Sequence, residues 1–254
     1  MVYQNKLLDL EISFIQNLKI AWNIFKTNFK LFFVLSIIRP LMALISVLLD
    51  SLPQLMFSDW IDNIFFILYF VTAFIELTLI LIPYIVTEQT VLNNQSQLKL
   101  AFKKALSKTL IIIIITLILT IITGISFLLL IIPGIYLSTL FSFLWQSICL
   151  RNCKLNAFTY SRSLVKGRWW KVFYHFLKIG SFGIILSLFI FMISGIISFA
   201  LPQILTWNYW VSFIFIILPL TYFLLALSVN YFITVITIYF LNLDYRKNGL
   251  PLRA

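Results

Sequence analysis

Two ionisable residues stand inside apolar runs, Arg39 in FFVLSIIRPLMALI and Glu76 in FVTAFIELTLILI. An arginine at the centre of a bilayer costs on the order of 3 kcal/mol on insertion scales, so such residues pair or face a cavity. In adjacent antiparallel helices the two would lie at similar depth, Arg39 midway along its run and Glu76 slightly nearer the cytoplasm. They make a candidate intramembrane ion pair. Its uses would be a structural clamp or, in the alternative reading, a small transporter or channel. The SRSLVKGRWW stretch offers a different chemistry: Arg162, Lys166, Arg168 and Lys171 can meet anionic phosphates while Trp169 and Trp170 settle at headgroup depth.

Catalytic chemistry finds fewer residues. His175 is the single histidine, and its place at the start of an apolar run suits an interfacial position. There is no Ser-His-Asp set, no pair of carboxylates in one cytoplasmic loop, and no glycine loop to cradle a phosphate. Cys149 and Cys153 share a helix face, but two thiols do not make a zinc site. They read as small apolar residues at a reduced cytoplasmic end. The chain is therefore expected to be non-enzymatic, with no catalytic residue, cofactor or metal.

The elements that must position these residues are membrane helices. Of the 254 residues 62% are hydrophobic and 11% charged, and the mean hydropathy is +1.04. Soluble domains carry about 25% charged residues, and apolar runs recur along the whole length, so a single all-α integral membrane domain over 1–254 is expected. The net charge of +11 would suggest nucleic acid in a soluble protein. Here basic residues crowding one side of a membrane explain it, and no nucleic-acid partner is expected.

Six transmembrane helices in hairpins are expected at about 31–49, 60–85, 109–132, 135–150, 176–201 and 211–241. Pro133-Gly134 reads as the tight turn between the third and fourth. Three cytoplasmic-side amphipathic interfacial helices are expected at about 14–30, 98–108 and 155–172. In the first, Phe14, Ile15, Leu18, Trp22, Phe25 and Phe29 form the apolar face; in the third, Gly167 can break the helix. The loops near 50–60, 133–134 and 202–210 hold no Lys or Arg. The charge count thus puts both termini in the cytoplasm. Trp60, Trp207 and Trp210 fall where an outer aromatic belt belongs. No cleavable signal peptide is visible, and the Asn94-Gln95-Ser96 acceptor pattern falls on the cytoplasmic side.

IPGIYL, the fourth span and the segment AFTYSRSLVKGRWWKVF together resemble the membrane domain attached to some bacterial glycerophosphodiester phosphodiesterases and its stand-alone YciC-like relatives. The terminal FLNLDYRKNGLPL resembles the closing segment of that family. Two departures stand out: Asn248 precedes Gly249 where an acid is usual, and Leu150-Arg151-Asn152 follows the fourth span where many relatives carry an acid. The resemblance implies a six-span protein of the bacterial cytoplasmic (inner) membrane. It does not imply hydrolysis, because the phosphodiesterase of the fused proteins is a separate soluble barrel. The expected function is a lipid- or partner-interacting anchoring or organising module, with anionic membrane lipids as its partners.

Overall fold

The computed structural model describes residues 7, 12–51, 59–93, 95–205 and 217–249. Residues 52–58 and 206–216 lie outside the described residues, and with them Trp207, Trp210 and the side chain of Trp60. The described residues are helical with no strand: α1 (Phe14–Thr27), α2 (Phe29–Ser51), α3 (Asp59–Asn93), α4 (Leu98–Leu129), α5 (Ile131–Leu140), α6 (Leu144–Arg151), a 3₁₀ turn at Lys154–Asn156, α7 (Ala157–Val165), α8 (Trp169–Leu205) and α9 (Leu218–Asn248). Five stretches are long and apolar enough to cross a membrane: Phe66–Asn93, Leu98–Leu128, Ile131–Arg151, Trp169–Ile197 and Leu218–Asn248. The surface agrees with that character. Leu128 is 88% exposed and Ile132 80%, a degree of apolar exposure that suits lipid rather than water.

Several boundaries differ from the sequence reading. The second amphipathic piece is no separate helix; 98–108 is the start of α4. Neither Gly nor Pro stands between Lys108 and the apolar run, and the Thr109 hydroxyl donates back to the Ala105 carbonyl at 3.0 Å, so nothing stops the helix. The third piece divides in two. α7 ends at Val165, Gly167 takes φ +81°, and Trp169 opens α8. α8 is 37 residues long, about 55 Å at 1.5 Å per residue. The fourth apolar run is interrupted between Leu140 and Leu144. Pro219 is the second residue of α9.

The tight turn also moves. The break between α4 and α5 is at Leu130, in an extended conformation with φ −160° and ψ 136°. Pro133 and Gly134 lie inside α5. Proline is tolerated in a first helical turn because its nitrogen has no intrahelical partner there. Gly134 serves packing: a Cβ built on it would lie 2.6 Å from the Phe127 ring. The hairpin is closed by this ring-on-backbone contact. Trp145 Nε1 then donates to Thr116 Oγ1 at 3.1 Å farther along it.

By contacts the chain divides into two compact units. The first comprises Met1–Thr27, Leu81–Ile179 and Ile233–Ala254; the second comprises Asn28–Ile80 and Gly180–Phe232. Among the described residues, only Lys30 and Arg39 of the Lys and Arg belong to the second unit. In that second unit, the Asn230 amide donates to Ser36 Oγ at 2.9 Å. Thr221 donates to Ser194 Oγ at 2.8 Å. Short polar side chains joining helices in this way are the usual means of fastening membrane bundles.

In the first unit the buried face of α1 is Asn17, Ile20, Ala21, Ile24 and Phe25. Of the apolar face read from the sequence, Phe25 packs inward whereas Ile15 and Trp22 are exposed, at 64% and 48%. α7 likewise packs inward through Ala157, Ser161, Leu164 and Val165. Ser161 Oγ donates to the Leu140 carbonyl at 2.8 Å and accepts from the Phe143 N–H at 3.3 Å. It thereby takes up backbone groups freed where α5 gives way to α6.

Candidate functional site

The polar centre of the first unit is built around Arg151, the last residue of α6. The next residue, Asn152, adopts the left-handed conformation with φ 55°, a role that asparagine fills more readily than other side-chained residues. This cap ends α6 and turns the chain toward α7. Arg151 Nε donates to Asp244 Oδ2 at 2.6 Å, and its Nη2 lies 2.5 Å from the same oxygen. Its Nη1 donates to Glu88 Oε1 and, at 3.2 Å, to the Leu150 carbonyl. The guanidinium also lies over two rings, 5.8 Å from the Phe240 centroid and 5.7 Å from that of Tyr245.

Each carboxylate has further partners. Lys104 Nζ is 3.6 Å from Glu88 Oε2. Asp244 Oδ1 accepts from the Tyr160 hydroxyl and, at 2.7 Å, from Asn248 Nδ2. Asn248 Nδ2 also reaches Tyr160 Oη at 3.0 Å. Five elements therefore meet: α3 brings Glu88, α4 Lys104, α6 Arg151, α7 Tyr160, and α9 Asp244 and Asn248. Glu88 and Asp244 are 6% and 1% exposed. Two anions and two cations make the cluster neutral, and the fork of Arg151 gives it fixed geometry.

The chemistry open to this arrangement is limited. Tyr160 sits outside the apolar stretches; burial first, and then its bond to Asp244, holds its phenol well above the ordinary value. It stays a neutral donor. The guanidinium fills the space between the two carboxylates, where a general acid–base pair would need a substrate. No group of three or more His, Cys, Asp or Glu that could hold a metal occurs among the described residues. The cluster is a lock between segments.

A second polar contact uses His175. Asn17 Nδ2 is 2.9 Å from His175 Nε2 and donates to the Val235 carbonyl at 3.1 Å. The imidazole stacks on Tyr239 at 3.7 Å between centroids. With Nε2 accepting, the ring carries its proton on Nδ1 and is neutral. His175 is thus an internal tie.

Arg39 Nη2 donates to the Leu79 carbonyl at 3.2 Å, one turn after Glu76. Of the proposed lipid contacts, Arg162, Lys166, Trp170 and Lys171 are exposed and Arg168 half-buried. Trp169 is engaged inside the protein: its Nε1 donates to the Tyr136 carbonyl at 3.2 Å, and its ring stacks on Phe173 at 5.1 Å. Cys149 is buried and Cys153 half-buried, both as free thiols. The Cys153 thiol donates to the Arg151 carbonyl at 3.6 Å. Burial raises its pKa, assisted by Asp244 and opposed by Arg151.

Sequence reasoning missed the Glu88–Arg151–Asp244 lock. One signal was present: a base at 151 and acids at 88 and 244 stand in stretches read as lying on the same side. Comparison of the chain with protein-family models, with curated proteins and with solved structures gives no match in any of the three.

Proposed function

We propose that this chain is a non-enzymatic, multi-pass protein of a bacterial cytoplasmic membrane that anchors or organises its surroundings by holding anionic lipid. The observation that carries the reading is the segregation of charge: nearly all described cations lie in the first unit and nearly none in the second. Such asymmetry follows from the preference of Lys and Arg for the cytoplasmic side. In this reading α2 supplies a sixth span beside the five apolar stretches, and both termini are cytoplasmic. Kinship with the membrane domain of glycerophosphodiester phosphodiesterases is part of the proposal and rests on the residues quoted for it.

The internal lock supports an anchoring role over chemistry. Its carboxylates are consumed by Arg151, Lys104, Tyr160 and Asn248, while exposed cations such as Arg162, Lys166 and Lys171 remain turned outward. The bond from Arg39 to a main-chain carbonyl supports a structural use of that residue over transport. Extraction in native-lipid particles with identification of the lipid classes tests the reading. Anionic lipids should be enriched several-fold over the parent membrane; a bulk composition with no protein partner would overturn it.

A further inference from the structure

Beside the lock, the first unit carries a small cavity of about 260 Å³, lined by Ser163, Leu164, Lys166, Arg168, Leu243 and Lys247. Three of the six are cations and none is an acid. The nearest acid in sequence, Asp244, is 1% exposed and held by Arg151, Tyr160 and Asn248. Leu164 and Leu243 are 3% and 1% exposed, so the floor is apolar, and charges beside such a floor act more strongly than in open water.

Hydrogen bonds fix the backbone around the cavity and tie Lys247 to its rim. Arg168 N–H donates to the Val165 carbonyl at 2.9 Å and closes the turn after α7. Gly167 occupies φ +81° with nothing within 4 Å of a built Cβ. Lys247 Nζ donates to the Ser163 carbonyl at 2.8 Å, which brings the last turn of α9 to the same rim. α8 begins at the next residue, Trp169, and adds the partial positive charge of a helix N-terminus. The exposed lysines of α4, Lys99 and Lys103, do not line this cavity.

We propose that Lys166, Arg168 and Lys247 form a binding site for a phosphate group carried by an anionic ligand. The volume suits one headgroup rather than a larger molecule. The proposal rests on the membrane reading above, which supplies phospholipid as one source; a soluble phosphate ester is the other. It adds Lys247, distant in sequence, to a segment read from the sequence as a candidate anionic-lipid contact.

The test is native mass spectrometry of the detergent-solubilised full chain with added phosphatidylglycerol, with phosphatidylcholine as reference. Two charge-matched triples are compared: Lys166→Ala/Arg168→Ala/Lys247→Ala and, as control, Lys19→Ala/Lys99→Ala/Lys103→Ala. One phosphatidylglycerol should bind preferentially, and the first triple should weaken it by roughly tenfold or more while the control changes it less than twofold. Equal weakening by both triples, or none by either, overturns the site. If lipid extraction still shows anionic enrichment in that case, the broader reading survives the failure of the site. Arg168→Lys, which keeps the charge, guards against a folding defect and should retain most of the binding. Displacement of the lipid by glycerol 3-phosphate or inorganic phosphate at equal concentration would mark a soluble ester as the source; resistance to displacement would mark the lipid. Either supports the site.

Discussion

Arg151 and Asp244, 93 residues apart in sequence, meet with Nε 2.6 Å from Oδ2 under the ring of Tyr245. Glu88 takes the other side of the same guanidinium. Removing one partner from a buried pair leaves an uncompensated charge, which costs about 3–5 kcal/mol. Arg151→Gln should therefore lower unfolding stability in detergent by about that amount, and Glu88→Gln by less, because Lys104 partly shares that charge. A double-mutant cycle should give a coupling of about 1–3 kcal/mol. Additivity of the two single changes would show that the pair does not lock the segments.

Tyr160 gives the lock a pH signature. Its folded-state pKa is raised by burial and by donation to Asp244, so its contribution is complete below the unfolded phenol value near 10. It is lost as pH rises through the folded value. The stability difference between the native chain and Tyr160→Phe should be constant up to about pH 9 and shrink above about pH 10. A difference that stays flat to pH 12 would contradict the bond.

The thiols should be poor nucleophiles. Cys149 is 0% exposed, and burial raises the pKa of Cys153. Thiolate is the reactive form, so iodoacetamide should modify Cys153 more slowly than free cysteine at pH 7.5, with a rate profile displaced to higher pH. Modification at the rate of free cysteine would count against the packing around Arg151.

Gly134 distinguishes close packing from flexibility. In a helix interior, Gly→Ala ordinarily gains up to about 1 kcal/mol. Here the new methyl would meet the Phe127 ring at 2.6 Å, so Gly134→Ala should instead cost about 1–3 kcal/mol. Adding Phe127→Ala should restore part of it. Stabilisation by Gly134→Ala alone would show that the ring moves aside freely.

The helical character was legible because apolar residues dominate every long run, whatever their partners. What the runs could not show was which side of a helix meets protein and which meets lipid. In α1, Ile15 and Trp22 of the apolar face are exposed, whereas Asn17, Ala21 and Ile24 pack inward. The Pro133-Gly134 turn was misplaced by three residues, since proline opens a helix as readily as it marks a turn. The lock was out of reach for another reason. Periodicity pairs residues three or four apart, and Glu88, Arg151 and Asp244 meet only through tertiary folding. Lys166 and Arg168 were legible as a basic stretch; their neighbour Lys247 was not.

The central claim of the proposal is that the basic segments of the first unit lie on the cytoplasmic side of the membrane. In a Cys149→Ser/Cys153→Ser background, Lys99→Cys should react with a membrane-impermeant maleimide only after the cytoplasmic side is opened. Labelling of intact cells or spheroplasts at that position would contradict the account.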